Sequence, residues 1–178
     1  MRMARRCFIS ALSIALLLSA TFGFAAKNVR KLSLHDLRGN KTHASDYQGK
    51  ILVLNFWATW CGPCKEELPR LGTMAQQYAD KNVSFLLVSI DETKRLSAVR
   101  AYVSQQNVTL PVWVGGTVDQ LEELAGVNIV PATVLIDEKG EIVRAINGEA
   151  KEEDIREAVD WLLGGRKGPT PTDRVMRY

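Results

Sequence analysis

The sequence has few of the residues that bind metals or build disulfide frameworks: three cysteines and two histidines in 178 residues. A structural zinc site takes four Cys or His ligands, often as two Cys-x-x-Cys pairs. One such pair is present, Cys61 and Cys64, while His35 and His43 have neither helical nor paired spacing. We therefore expect no metal site and no cofactor.

An excess of charge of one sign is also lacking. The formal net charge is +3, and three arginines fall within the first six residues. Without residues 1–26, which contain no acidic residue, 20 basic residues face 20 acidic ones. No basic patch is implied, so nucleic acid is not an expected partner.

The N-terminal segment has the order of a leader for export. The three arginines precede an apolar stretch at residues 8–18, and residues 23–25 supply small residues for a signal peptidase. The sequence predicts a signal peptide over residues 1–25. A retained membrane anchor is the alternative, because residues 7–26 reach the roughly 20 residues that a spanning helix needs. Either way the protein is predicted to be exported, periplasmic or otherwise extracytoplasmic, with membrane contact only if the segment is retained.

The rest of the chain shows no internal repeat and predicts one α/β domain over residues 26–163. The apolar run at residues 51–57 predicts a strand buried on both faces. A helical pattern starts at Cys61, and strands and helices then alternate up to a closing hairpin and a last helix, which predicts a mixed sheet between helical layers. Residues 164–178 contain two prolines, four basic residues and no periodicity, and predict a flexible basic tail.

The cysteine pair Cys61-Gly62-Pro63-Cys64 lies where the buried strand gives way to a helix. The loop that a disulfide would close is too short to stabilise the fold much, so we expect thiol-disulfide exchange. Cys61 lies at the helix N-terminus, where unpaired N–H groups and the helix dipole favour its thiolate and make it the nucleophile. Cys64, one turn deeper, is the expected resolving thiol.

Residues 55–69, Asn-Phe-Trp-Ala-Thr-Trp-Cys-Gly-Pro-Cys-Lys-Glu-Glu-Leu-Pro, resemble the active-site segment of the thioredoxin superfamily, and in particular its exported TlpA/ResA-like branch. Residues 45–50 resemble the lead-in of that branch, and residues 130–137 resemble its cis-proline segment. Residues 92–114 resemble the helix and strand that it inserts between the two halves of the fold. The resemblance covers about residues 32–163 and implies a thioredoxin fold, with a mixed central sheet flanked by helices and that insertion.

The resemblance also implies the residues that contact substrate. Pro131 is expected to be cis and to face the disulfide, which leaves the Val130 main chain free to pair with an extended substrate; the alternative is a turn proline without a role in the site. Gly62 and Pro63 set the conformation of the loop and thereby the relative stability of dithiol and disulfide. Trp60 is interpreted as a packing residue that also offers a rim for substrate.

Glu67 is the candidate for proton transfer. Typical thioredoxins have a buried aspartate behind the resolving cysteine, where this sequence has Asn55, which takes no proton. Glu67 matches a glutamate of the TlpA/ResA-like branch and lies three residues after Cys64, on the same helix face. We expect it to raise the pKa values of the thiols and to relay a proton. The alternative is an ordinary solvated helix residue.

The predicted function is reduction of protein disulfides outside the cytoplasm, with disulfide-containing client proteins and a membrane thiol carrier as the electron donor. The resemblance extends to cytochrome c maturation, with the haem-binding cysteines of apocytochrome c as clients. A disulfide oxidase or isomerase stays open, because Gly62 and Pro63 do not reveal the reduction potential. A thiol peroxidase usually has its reactive cysteine outside such a pair, and a redox-inert binding module predicts a damaged motif.

Overall fold

The strand at the centre of the sheet accounts for the apolar run of the sequence. In the computed structural model, which describes residues 29–177, β3 (Ile51–Trp57) lies between a parallel neighbour, β4 (Val83–Ser89), and an antiparallel neighbour, β6 (Ala132–Ile136). All seven residues of β3 are buried. A strand covered on both faces needs apolar side chains at successive positions, as the sequence predicts.

Further strands extend this sheet on both sides. They are β1 (Ser33–Asp36), β2 (Lys41–His43), β5 (Val112–Val114), β7 (Ile142–Asn147) and β8 (Arg174–Met176). The order across the sheet is β2-β1-β5-β4-β3-β6-β7-β8, with parallel and antiparallel pairs. The mixed sheet expected from the resemblance is thus confirmed, including the inserted strand β5.

Helices cover both faces of the sheet. They are α1 (Gly62–Gln77), α2 (Leu96–Gln105), α3 (Val118–Ala125) and α4 (Glu152–Leu163). Buried residues of α1, α2 and α4 share one hydrophobic core, and those of α3 belong to the other. Val53 and Trp57 of β3 join the first core, while Leu54 and Phe56 join the second. Because side chains alternate along a strand, Asn55 points to the α1 side.

The C-terminal segment differs from the predicted flexible tail. β8 pairs in parallel with β7 and covers its edge. The Arg177 guanidinium forms an ion pair with Asp154, and Arg174 donates a hydrogen bond to the carbonyl of Ala125 (3.3 Å). A three-residue strand is too short to show periodicity, and the arginines that suggest a solvated tail have partners distant in sequence. The prediction of flexibility is therefore wrong for this strand and for Arg177.

The predicted leader lies within residues 1–28, outside the described residues. Its identity as a signal peptide or an anchor therefore stays a prediction. Over residues 29–177, no helix combines the length and the apolar character needed to cross a membrane.

Candidate active site

The cysteine pair lies where β3 ends and α1 begins. Cys61 caps α1 with an extended main chain, and its sulfur accepts a hydrogen bond from the Cys64 N–H (3.2 Å). Pro63 lies in the first turn of the helix, where its missing N–H removes no helical hydrogen bond. The two sulfurs form a disulfide. Cys61 is 6% exposed and Cys64 is 0% exposed, so a reaction partner can approach Cys61 alone.

A buried carboxylate holds the turn that precedes Cys61. Asp91 follows β4 and accepts hydrogen bonds from the Thr59 N–H (2.8 Å), the Thr59 hydroxyl (2.6 Å) and the Ser89 hydroxyl (3.0 Å). Arg95 forms an ion pair with the same carboxylate, with 3.3 Å from Nε to Oδ1. Sequence reasoning missed Asp91. The available signal was its position directly after a buried strand, because the ends of parallel neighbouring strands meet at one edge of the sheet.

The second half of the site comes from the segment before β6. The Val130-Pro131 peptide bond is cis, as the resemblance implies. Pro63, Val130 and Pro131 line one open groove with a volume of about 580 Å³. Residues that are 67 or more positions apart in sequence thus meet next to the cysteine pair.

Trp60 and Gly62 are held less tightly than their neighbours. Trp60 is 59% exposed, so its interpretation as a packing residue is wrong and only a rim position agrees with its exposure. A Cβ built on Gly62 meets no atom within 4 Å, and its φ is not in the left-handed region. Neither the space nor the main chain requires glycine at position 62.

Glu67 lies inside the protein, with 1% of its surface exposed. Its Oε1 accepts a hydrogen bond from the Ala150 N–H (3.0 Å), and its Oε2 accepts one from Asn55 Nδ2 (3.3 Å). Burial raises the pKa of the Glu67 carboxyl from 4.5 to about 7, although both hydrogen bonds and nearby Arg70 act to lower it. The alternative of a solvated helix residue is therefore wrong.

Asn55 links this carboxyl to the sheet. Its Nδ2 also donates to Thr133 Oγ1 on the neighbouring strand (3.0 Å), while its Oδ1 has no hydrogen-bond partner within the described part of the chain. The side-chain amide is thus oriented with Nδ2 towards two acceptors, the Glu67 carboxyl and the Thr133 hydroxyl. Asn55 itself takes no proton, so Glu67 is the member of this buried contact that titrates.

The histidines lie outside the strands that carry the cysteine pair. His35 is in β1 and His43 ends β2, the two strands at one edge of the sheet, and both side chains are exposed. Within residues 29–177, no group of three or more His, Cys, Asp or Glu side chains is placed to hold a metal ion.

Comparison with known proteins agrees with this geometry. The model of the Redoxin family matches residues 23–162. The thiol-disulfide oxidoreductase ResA of Bacillus thuringiensis subspecies konkukian is 36% identical over 124 residues, which cover 68% of this chain and 69% of that protein. ResA of Bacillus subtilis is 32% identical over 132 residues, which cover 74% of this chain and 72% of that protein.

A solved structure supports the fold. The crystal structure of a thioredoxin family thiol:disulfide interchange protein from Chlorobium tepidum superposes with a TM-score of 0.65 at 24% identity, and the match covers 78% of this chain and 97% of that one. The family match spans most of the sequence, and the strand-to-helix junction presents a closed cysteine pair in which Cys61 is 6% exposed and Cys64 is fully buried. The chain therefore belongs to the Redoxin family and is a thiol-disulfide oxidoreductase of the ResA type.

Proposed function

We propose that this oxidoreductase reduces disulfides of exported proteins, with Cys61 as the attacking thiol and Cys64 as the resolving thiol. The observation that carries these roles is the difference in burial of the two cysteines, 6% exposed for Cys61 against 0% for Cys64. The position of Cys61 at the N-terminus of α1 supports the same assignment, because the helix dipole stabilises a thiolate there.

The exchange proceeds in two steps. The Cys61 thiolate attacks one sulfur of a client disulfide, so that a Cys61–client bond forms, the client S–S bond breaks and one client thiolate leaves. The Cys64 thiolate then attacks Cys61 Sγ, closes the Cys61–Cys64 bond and expels the second client thiolate. Two electrons pass to the client, and the two thiol protons pass to the client sulfurs or to solvent.

Val130 is the proposed docking point for the client main chain. Within residues 29–177, the N–H and the carbonyl of Val130 form no main-chain hydrogen bond, and β6 begins only at Ala132. An extended segment that lies in the groove can pair with these groups as an added strand. Pro63 and Pro131 line the same groove and hold the segment against the cysteine pair.

Glu67 is the proposed proton acceptor for Cys64. Cys64 must lose its proton before it attacks, and no exposed surface connects it with bulk water. Glu67 lies one helical turn further along α1 on the same buried face, and its pKa of about 7 leaves it able to gain and lose a proton near neutral pH.

Export and electron supply complete the proposal. The N-terminal order of basic, apolar and small residues supports export, with the leader cleaved or kept as an anchor. Exported compartments favour disulfides, so the reduced pair has to be restored by a membrane thiol carrier. Haem-binding cysteines of apocytochrome c are the proposed clients, on the strength of the likeness to the ResA branch.

The reduction potential of the Cys61/Cys64 pair tests the direction of electron flow. Equilibration with glutathione or dithiothreitol buffers, read from the redox-dependent fluorescence or by thiol labelling, is expected to give about −220 mV or lower, in the range of reductases such as thioredoxin at about −270 mV. A value near −120 mV, as in the oxidant DsbA, would overturn the reductase proposal in favour of an oxidase.

A further inference from the structure

The C-terminal segment, residues 173–177, is built into the sheet beside the groove. The Ala145 N–H donates to the carbonyl of Asp173 (2.8 Å), and the Arg177 N–H donates to the carbonyl of Asn147 (2.7 Å). The segment is therefore tied to β7 at both of its ends.

Two arginines tie the segment to its neighbours, Arg144 from β7 and Arg177 from within the segment. Arg144 is 1% exposed; its Nε donates to the carbonyl of Thr172 (2.7 Å), and its guanidinium pairs with Glu157 (2.8 Å). Arg177 bonds both carboxylate oxygens of Asp154, with 2.9 Å from Nε to Oδ2. A buried guanidinium needs a partner for each N–H group, and the Thr172 carbonyl directly before the segment is the partner of Arg144 Nε.

Gly148 allows the segment to approach closely. Its φ is +96°, and a Cβ at this position would overlap the carbonyl of Arg177. Glycine is needed here for both reasons. The missing side chain at position 148 therefore leaves the space that the Arg177 carbonyl occupies.

This placement brings Met176 to the wall of the groove that Pro63 and Pro131 line. Ile129 lines the same groove, and both apolar side chains are 44% exposed. Large apolar side chains that stay exposed to water in one groove, as Met176 and Ile129 do, commonly mark a binding surface.

The charges of the groove are largely paired within the protein. Arg177 is held by Asp154, and Glu149 forms an ion pair with Arg70. Lys151 is the third charged residue of the lining. With two of three charges already neutralised, the apolar side chains are the groups left to discriminate between clients.

We propose that β8 forms part of the client-binding groove and that Met176, with Ile129, selects extended client segments that carry an apolar residue next to the half-cystine. This inference rests on the proposed function, since it takes the groove as the place where the client peptide lies. The contact adds binding selectivity and leaves the thiol-disulfide steps unchanged.

Two disulfide-bonded synthetic peptides test it, identical except that the residues on both sides of each cysteine are leucine in one and serine in the other. The rate at which each peptide oxidises the reduced full-length protein is measured over a range of peptide concentrations. The wild type is expected to favour the leucine peptide about fivefold, mainly through tighter binding, because a partly open apolar surface discriminates less than a closed pocket.

Variants of the groove show which side chains cause the preference for the leucine peptide. Met176→Ser is expected to lower the preference to about twofold, and the double variant Met176→Ser, Ile129→Ser to abolish it. Leu163→Ser is the matched control, because Leu163 is 39% exposed at the end of α4 and does not line the groove. The wild type and Leu163→Ser are expected to react equally fast with bis(2-hydroxyethyl) disulfide, which is too small to reach along the groove, and for the groove variants the leucine-to-serine rate ratio within each protein is the quantity compared.

The outcomes separate this inference from the function on which it rests. Equal rates with both peptides in the wild type, or a preference that survives in the double variant, would overturn the role of Met176 and Ile129 while reduction of peptide disulfides still stands. A wild type that reduces the small disulfide but neither peptide would refute the proposed function, and the inference with it.

Discussion

Glu67 makes the free energy of unfolding depend on pH, and one substitution is expected to remove that dependence. Its pKa in the folded protein is about 7, raised by burial from 4.5. Between these two values the folded protein holds a proton that the unfolded chain releases. Stability therefore falls as pH rises through this window, because unfolding releases this proton and a higher pH favours the release.

The magnitude follows from the two pKa values. With a pKa of about 7 in the folded protein and 4.5 in the unfolded chain, the free energy of unfolding falls by about 2.5 kcal/mol between pH 5 and pH 8. Each pKa unit is worth about 1.4 kcal/mol. Glu67→Gln keeps the size of the side chain and an oxygen for the Ala150 N–H, but it carries no proton to lose. Between pH 5 and pH 8, the free energy of unfolding of the variant is therefore expected to fall by about 2.5 kcal/mol less than that of the wild type.

Urea unfolding of the oxidised protein at pH 5, 6, 7 and 8 measures the effect, because the closed disulfide keeps the cysteines from titrating. Differences between wild type and variant cancel the contribution of the other groups. Glu66→Gln is the matched control, since Glu66 is the exposed neighbour on the same helix and is expected to follow the wild-type curve.

Parallel curves for the wild type and Glu67→Gln would refute the reasoning. They would mean that the Glu67 carboxyl titrates in the folded protein as it does in the unfolded chain, which its burial does not allow. The proposed role in resolving the mixed disulfide would then lose its physical basis as well.

Three further predictions concern the cysteines, the Asp91 carboxylate and the leader. Cys64→Ser is expected to accumulate mixed disulfides with exported proteins on non-reducing gels and Cys61→Ser to trap none, and equal trapping would reverse the roles. Asp91→Asn is expected to lower the free energy of unfolding, measured in urea, by about 2 kcal/mol, because the Thr59 N–H loses a charged acceptor. An unchanged urea concentration at half unfolding would show that the Asp91 carboxylate does not stabilise the fold. N-terminal sequencing of protein from the exported fraction is expected to begin at Ala26, whereas a retained Met1 in the membrane fraction would establish the anchor.

The local parts of the site were readable from the sequence. A strand buried on both faces has to be apolar at successive positions, so residues 51–57 identified the centre of the sheet. The change to helical spacing at Cys61 placed the cysteine pair at a helix N-terminus, and that placement is the sequence-based reason to propose Cys61 as the nucleophile. These signals depend on neighbours within one or two turns of the chain.

Contacts between distant segments were not readable in this way. The burial of Glu67 depends on Asn55 of β3 and on the Ala150 main chain, and its raised pKa follows from that burial rather than from its distance to Cys64 along the helix. The hydrogen bonds from Thr59 to Asp91 form because β3 and β4 are parallel and end side by side.

The C-terminal segment shows the same limit most clearly. The prolines that precede it, its charges and its short strand have the composition of a flexible tail. Its order comes from partners elsewhere in the fold: the open edge of β7, the buried Arg144 and the space that Gly148 leaves. Hydrogen bonds along a sheet edge and the pairing of a buried charge are satisfied only after the chain has folded, so the tertiary structure alone decided that this segment forms a wall of the active-site groove.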